Sequence, residues 1–354
     1  MGGFYVAGAT VFDGARVRTR QGVLVQGDRI VWVGPHARAP REARGVRAID
    51  GAGRTLTPGL VDCHVHLAMD GSADFAGEAA AMNALLAVIK GTMNLRRHLA
   101  AGVTSVRDLG GPASCELSKA VDAGSTPGPR VVAAGNALTI TGGHGHNVAF
   151  AREVDGADGV RKAVREEIRA GAKAIKVVAT GGVLTPGIGA TFTAFTREEI
   201  GAAVDEAHRW GRRVAAHAIG APGILGAVKA GVDSVEHCNQ LTAEAAREML
   251  ARGTFRGPTL CAVAGSWTTP RRCPRTRSRR GARSTTTRCI RCGVRCAPGS
   301  VTWSRPTPVP RSTPTAPRGG KWHTSWTGGC RPCRRWWRQP RTAPSCWDWT
   351  TSAT

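Results

Sequence analysis

The sequence predicts an α/β protein: a (β/α)8 TIM barrel, incomplete because strand eight is missing, behind a small N-terminal β-sandwich segment and ahead of an irregular C-terminal tail. Three observations carry this. From Pro58 to about residue 264, short apolar runs alternate with helical stretches, as buried parallel strands joined by crossover helices do. Before Pro58 the runs are short, Gly-punctuated and alternate polar with apolar residues, as half-buried strands do. Beyond about residue 264 all periodicity stops, and Pro, Arg, Thr, Ser, Cys and Trp dominate. An open Rossmann sheet would also show βα repeats, but no Gly-x-Gly-x-x-Gly opens a helix after the first strand.

Taken in order, residues 1–57 form the sandwich segment, with runs at Tyr5–Thr10, Gly22–Gln26, Arg29–Val33 and Val46–Ile49 reading as small antiparallel strands. Residues 58–264 form the barrel. Its strands are expected at Leu60–His66, Thr104–Asp108, Val131–Ala134, Ala174–Thr180, Arg213–Ala218 and Ser234–His237, with Thr254–Leu260 as a candidate seventh. Helices are expected at Ala80–Ala100, Asp158–Ala170, Arg197–Trp210 and Ala243–Arg252. Ala-Gly pairs at Ala101–Gly102, Ala170–Gly171 and Ala230–Gly231 close helices before strands. Residues 265–354 form the tail.

The chain's 354 residues suffice for one large or two modest domains. Its net charge of +24 points to a nucleic-acid partner, but the distribution argues otherwise. Residues 1–250 carry 28 basic and 24 acidic side chains, whereas residues 251–354 carry 21 basic ones against the single acid Asp348. Two kinds of sequence are joined, and nucleic acid is not expected as a partner of the first. Three widely spaced cysteines, Cys63, Cys115 and Cys238, precede residue 260, a reduced-compartment pattern. The N-terminus shows no signal-peptide pattern, and no run reaches the roughly 18 apolar residues of a membrane span. A cytoplasmic location without membrane contact is expected, and homo-oligomerisation is left open.

The chemistry-bearing residues recur at strand ends. His64 and His66 lie two apart, so on a strand both imidazoles share one face and can hold one metal. Lys176 sits within an apolar strand, where an ammonium is costly unless neutralised, paired or snorkelled to the rim. His217 and His237 end the fifth and sixth strands, and taken singly each reads as a hydrogen-bonded structural histidine. His144 and His146 occupy a Gly-rich loop, Thr141-Gly-Gly-His-Gly-His146, after the third strand.

Together, Thr57-Pro-Gly-Leu-Val-Asp-Cys-His-Val-His66, Ala174-Ile-Lys-Val-Val-Ala-Thr-Gly-Gly182, Ala215-Ala-His-Ala-Ile-Gly220 and Ser234-Val-Glu-His-Cys-Asn239 resemble the motifs of the amidohydrolase superfamily, in its binuclear, prolidase-like and imidazolonepropionase-like branch. The resemblance covers about residues 1–264. It implies two divalent metal ions, most often zinc, held at the C-terminal mouth of the barrel by His64, His66, Lys176, His217 and His237, with Lys176 carboxylated as a bridging carbamate. It also implies that His144 contacts substrate, with His146 left as a loop residue, and that metal-activated water cleaves a small-molecule amide, a dipeptide or an N-acyl amino acid. Burial of Lys176 favours the neutral amine that carboxylation requires. One departure is Ile219, where that branch often carries a Tyr that recognises a carboxylate. A mononuclear deaminase or imidazolonepropionase-type site is the enzymatic alternative, since it needs the histidines but not Lys176.

The family's strand-eight aspartate, which ligates a metal and relays the proton to the leaving amine, has no counterpart, so no catalytic acid or base is assigned. The only acid after Glu248 is Asp348. GC-rich coding DNA read out of frame yields mostly Arg, Pro, Ala, Gly, Thr, Ser, Cys and Trp, which is the tail's profile. A two-base shift with GC-rich codon choices turns Arg305–Pro310 into Ala-Asp-Ala-Gly-Ala and Trp322–Thr327 into Ala-His-Glu-Leu-Asp, which look like the missing motif and a following helix. The tail is therefore read as frame-shifted, with low activity and poor solubility expected of this chain. Translating the nucleotide sequence in all frames tests this: no Asp-Ala-Gly near codon 307 ends the idea. The rival is an inactive fragment carrying a basic zinc- or nucleic-acid-binding tail, from Cys289-x-x-Cys292 and Cys330-x-x-Cys333.

Overall fold

The computed structural model describes residues 2–71, 75–148, 150–183, 185 and 187–260, with two short segments at 287–288 and 295–296. The N-terminal segment is a single five-stranded sheet of β1 (Phe4–Phe12), β2 (Val17–Gln26), β3 (Arg29–Pro35), β4 (Arg47–Asp50) and β5 (Thr55–Leu56). Its order is β3-β2-β1-β4, with β5 also on β1. The β1–β2 and β2–β3 pairs are antiparallel as expected, but β4 and β5 run parallel to β1. The reason is the connection: two 3-10 turns, His36–Arg38 and Arg41–Gly45, carry the chain from β3 to the far side of β1. Strand alternation buries Val6, Val11, Val23 and Val25 in one cluster and Tyr5 with Leu24 in another.

From Leu60 to Gly257 every strand pair is parallel. The elements are β6 (Leu60–Val65), α1 (Phe75–Ala80), α2 (Ala84–Ala100), β7 (Val103–Asp108), α3 (Ser114–Asp122), β8 (Arg130–Ala133), β9 (Ala137–Thr139) and β10 (Ala151–Glu153). They continue as α4 (Ala157–Ala170), β11 (Ala174–Val178), α5 (Arg197–Arg209), β12 (Arg213–Ala218), α6 (Ala221–Ala230), β13 (Ser234–His237), α7 (Ala243–Arg252) and β14 (Phe255–Gly257). One sheet runs β6-β7-β8 and another β10-β9-β11-β12-β13-β14. They meet where the Lys173 amide donates to the Ala133 carbonyl, 2.7 Å away. The sheets curl about a common interior, because side chains of β6 touch those of β13, a strand it does not pair with. This is a TIM-barrel-like α/β domain. Among the described residues β6 pairs only with β7 and β14 only with β13.

Helix boundaries follow local chemistry. The expected helix at Ala80–Ala100 forms as α2 and starts only at Ala84, because Asn83 turns extended and caps Leu86 N with its side chain. Gly171 and Gly231 end α4 and α6 in the left-handed region, as the Ala-Gly pairs implied. Two helices were not anticipated: α1 precedes the expected helix, and α3 is a short, polar nine-residue helix, whereas α6, whose end the Ala230–Gly231 pair marks, carries Pro222 in its first turn, where a missing N–H costs nothing. The core joins buried helix faces to the outward strand positions, as in Val160, Val164, Ile175, Val177, Ile200 and Val235. No helix of the described residues is long and apolar enough to cross a membrane.

Strand eight and most of the 265–354 tail lie outside the described residues. What is described there is a short antiparallel pair, β15 (Thr287–Arg288) with β16 (Arg295–Cys296), in a separate compact unit, Arg272–Cys346.

Candidate active site

Residues two apart on a strand face the same side, so each interior strand delivers alternate side chains to the barrel. β6 delivers His64 and, just past its end, His66; β11 delivers Lys176; β12 delivers His217. β13 breaks the parity rule. Glu236 and His237 are neighbours, yet both reach inward, because His237 and Cys238 adopt φ of 65° and 49° and turn the strand end over. A left-handed backbone at two non-glycine residues is strained, and such strain gathers at functional sites. The loop after β9 brings in His144, which packs on Gly182, where a Cβ would overlap the imidazole.

These side chains form a continuous arc at the C-terminal ends of the strands. Ring centroids lie 5.4 Å apart for His66 and His64, and 5.0 Å for His64 and His237. The arc continues with 4.6 Å between His237 and His217 and 4.7 Å between His217 and His144. Lys176 is 3 % exposed and makes no hydrogen bond or ion pair with the described residues. All six sequence-predicted residues thus come together. His146 does not join them: its Nδ1 donates to the Gly143 carbonyl within its own loop.

Burial sets the protonation states. It holds His66 and His144 down at about 4 and His237 at about 3, and it lowers His64 and His217 as well, so the imidazoles are neutral at pH 7. Burial also lowers Lys176 to about 8, against a smaller opposing pull from the Glu236 charge. Asp108, at the end of β7, is pushed up to about 7 by burial.

Each imidazole is tied to the protein through one nitrogen. His66 Nδ1 donates to the Gly110 carbonyl at 2.9 Å, and His217 Nε2 donates to the Gly181 carbonyl at 2.9 Å. His64 Nδ1 meets Glu236 Oε2 at 2.9 Å. His144 and His237 bond through Nδ1 to the hydroxyls of Thr185 and Thr259, each at 2.7 Å. The opposite ring nitrogen of each residue has no such tie among the described residues. Neutral imidazoles anchored at one nitrogen, beside a buried uncommitted amine, are the donor chemistry a borderline divalent cation takes. The residues therefore fit such a metal by chemistry, although no three His, Cys, Asp or Glu side chains among the described residues are arranged as a ready cage.

An apolar pocket adjoins this arc, lined by Ala68, Met69, Met82, Pro112, Val148 and Phe150. The Phe150 ring lies 5.4 Å from His66 and 6.4 Å from His144.

Sequence reasoning missed the partners of the arc: Arg107, Ser234 and Glu236 inside the barrel, and the anchors Thr185 and Thr259. A signal existed for the first three. Arg107 and Glu236 are charged residues in apolar strands, as Lys176 is, and Ser234 shares Glu236's parity. The threonines carried none, since a loop hydroxyl meets a histidine only once the chain is folded.

Residues 55–295 match the model of the amidohydrolase family. The ochratoxinase of Aspergillus niger is 36 % identical over 266 residues, covering 66 % of this chain and 54 % of that protein. Among solved structures, a prolidase complexed with N-methylphosphonate-L-proline superposes with a TM-score of 0.68 at 38 % identity, covering 75 % of this chain and 69 % of that one. A Xaa-Pro dipeptidase with methionine bound in its active site gives 0.67 at 31 % identity, covering 74 % and 68 %. The chain spans about half the length of the curated relatives it matches.

Proposed function

Because the chain belongs to the amidohydrolase family, we propose that it hydrolyses amide-type C–N bonds of small molecules, dipeptides or N-acyl amino acids, at the mouth of a (β/α)8 barrel. The observation that carries this reading is the arc of neutral imidazoles, each tied at one nitrogen, around the unpaired Lys176 amine. His64, His66, Lys176, His217 and His237 would hold two divalent ions, zinc foremost, with Lys176 as its carbamate. Ions held by these residues would supply Lewis acidity and a water whose pKa falls from 15.7 to about 7.

The chain's own residues do the rest. Burial lowers the Lys176 pKa to about 8, which raises the fraction of the neutral amine, the form that adds carbon dioxide. Thr185 and Gly182 hold the His144 ring in place, and His144 is the residue we assign to contact substrate. The Phe150 wall beside His66 keeps water off one side and favours substrates with an apolar group next to the scissile amide.

The test is metal stoichiometry with turnover. The metal-free chain is reloaded with zinc, manganese or cobalt and assayed on Xaa-Pro dipeptides and N-acyl amino acids. Two ions per chain and, because the family's strand-eight aspartate has no counterpart in the sequence, only weak hydrolysis that depends on loading are expected, with Lys176→Ala losing the second ion and that activity. A chain that takes up no metal on reloading, or a loaded chain with no hydrolysis of either substrate class above the metal-free background, sinks the reading. Full activity of Lys176→Ala with one ion would support the mononuclear alternative instead.

A further inference from the structure

We infer that Glu236, backed by Arg107 and Ser234, is a positioning residue that sets the tautomer and tilt of His64, leaving Nε2 as the nitrogen offered to the site. Glu236 is fully buried, and both its oxygens are committed. Oε2 lies 2.9 Å from His64 Nδ1; Oε1 accepts from Arg107 Nη2 at 2.7 Å and from Ser234 Oγ at 2.6 Å. An ionised carboxylate only accepts, so the proton between Glu236 and His64 sits on Nδ1.

Arg107 does two jobs. It supplies the positive charge a buried carboxylate needs, and its Nε donates to the Cys63 carbonyl at 2.8 Å, bracing the backbone on which His64 stands. Its Nη1 also holds Ser234 Oγ at 3.0 Å, closing a triangle across β6, β7 and β13. Two of these strands, β6 and β13, are not hydrogen-bond neighbours, so the network fixes His64 from across the barrel and not only through its own strand. A buried ion pair of this kind is weak evidence for stability in itself, since well-packed apolar groups serve as well or better. Its placement on a single ring nitrogen of His64 is what points to orientation. Only the metal arm of the test rests on the reading of His64 as a ligand.

The test uses the full chain labelled with 15N-histidine. In the metal-free protein, long-range 1H–15N spectra, assigned by His64→Gln, should show His64 protonated at Nδ1. In Glu236→Gln the amide must choose between Arg107 and His64, and His64 should lose that single tautomer. On cobalt titration Glu236→Gln should bind 10- to 100-fold more weakly with an altered visible spectrum. Glu244→Gln, at the exposed Lys229 pair, should change neither readout. Wild-type His64 carrying its proton on Nε2 overturns the inference, as does a Glu236→Gln variant with unchanged tautomer and cobalt affinity. Should Glu236→Gln fail to fold, the wild-type tautomer decides. A wild-type chain that takes up no cobalt removes the metal reading and leaves the tautomer to decide this one.

Discussion

At the scale of single residues, the candidate site is an economy of protons. Five imidazoles and one amine crowd into a buried arc, and burial keeps the imidazoles neutral where exposed ones would begin to charge below pH 6.5. The folded-state pKa of His66, His144 and His237 is depressed, so between about pH 4 and 6.5 the unfolded chain binds more protons than the folded one. Stability of the metal-free protein is then full above pH 6.5 and falls as the pH drops towards 4. Thermal melts of the stripped protein from pH 7.5 to 4.5 check this, and a flat melting temperature between 7 and 5 would contradict it. Gly182 illustrates steric control at the same scale. Gly182→Ala drives a methyl into the His144 ring, and kcat/KM for amide hydrolysis should fall on the order of 100-fold, as a misplacement of about an ångström does. Wild-type kcat/KM in that variant would remove His144 from the substrate site.

Elements place these residues, and their own stability comes from their edges and joints. Helix α5 starts with a full capping box: Thr196 Oγ1 accepts from Glu199 N while the Glu199 carboxylate accepts from Thr196 N. It is then joined to α4 by the paired bonds of Arg165 to Glu206, 2.9 and 2.8 Å long. Arg165 holds Glu206 down at about 2, below the ordinary carboxylate value of 4.5. A depressed folded pKa contributes stability that is complete above about pH 4.5 and is lost as pH falls through 2. Denaturant melts of wild type and Glu206→Gln should therefore differ most at neutral pH and converge between pH 5 and 2. Parallel curves across that window would show that the pair contributes nothing. The turned end of β13 is the element-level feature with most consequence for chemistry, because without it His237 would face the helices and the arc would be broken.

For the whole molecule, the two ends of the strand array decide behaviour in solution. Val61 on β6 is 64 % exposed and Phe255 on β14 is 76 % exposed. Apolar side chains on strands that have one partner each among the described residues template pairing with another chain. Sedimentation or light scattering should show concentration-dependent association, reduced by the double substitution Val61→Lys and Phe255→Lys. A monomer at the highest attainable concentration, in wild type, would count against this.

The sequence by itself determined the repeated βα order, the six main expected barrel strands to within a residue or two, and six candidate residues that the fold gathers into one arc, because the two-residue strand period and charged or imidazole side chains in apolar runs are local signals. Strands β5, β9 and β10 and the early start of β2 were not legible. It could not determine that β4 and β5 run parallel to β1, since strand direction depends on where a connection crosses. Nor could it determine that Glu236 and His237 share the interior, since that needs a left-handed turn no composition announces. Arg107 was legible as a charged residue in an apolar strand but not as the partner of Glu236, 129 positions on. Only the tertiary structure brings them together, because the approach of β6 and β7 to β13 across the interior buries Glu236 and leaves its charge to be balanced by the half-buried Arg107.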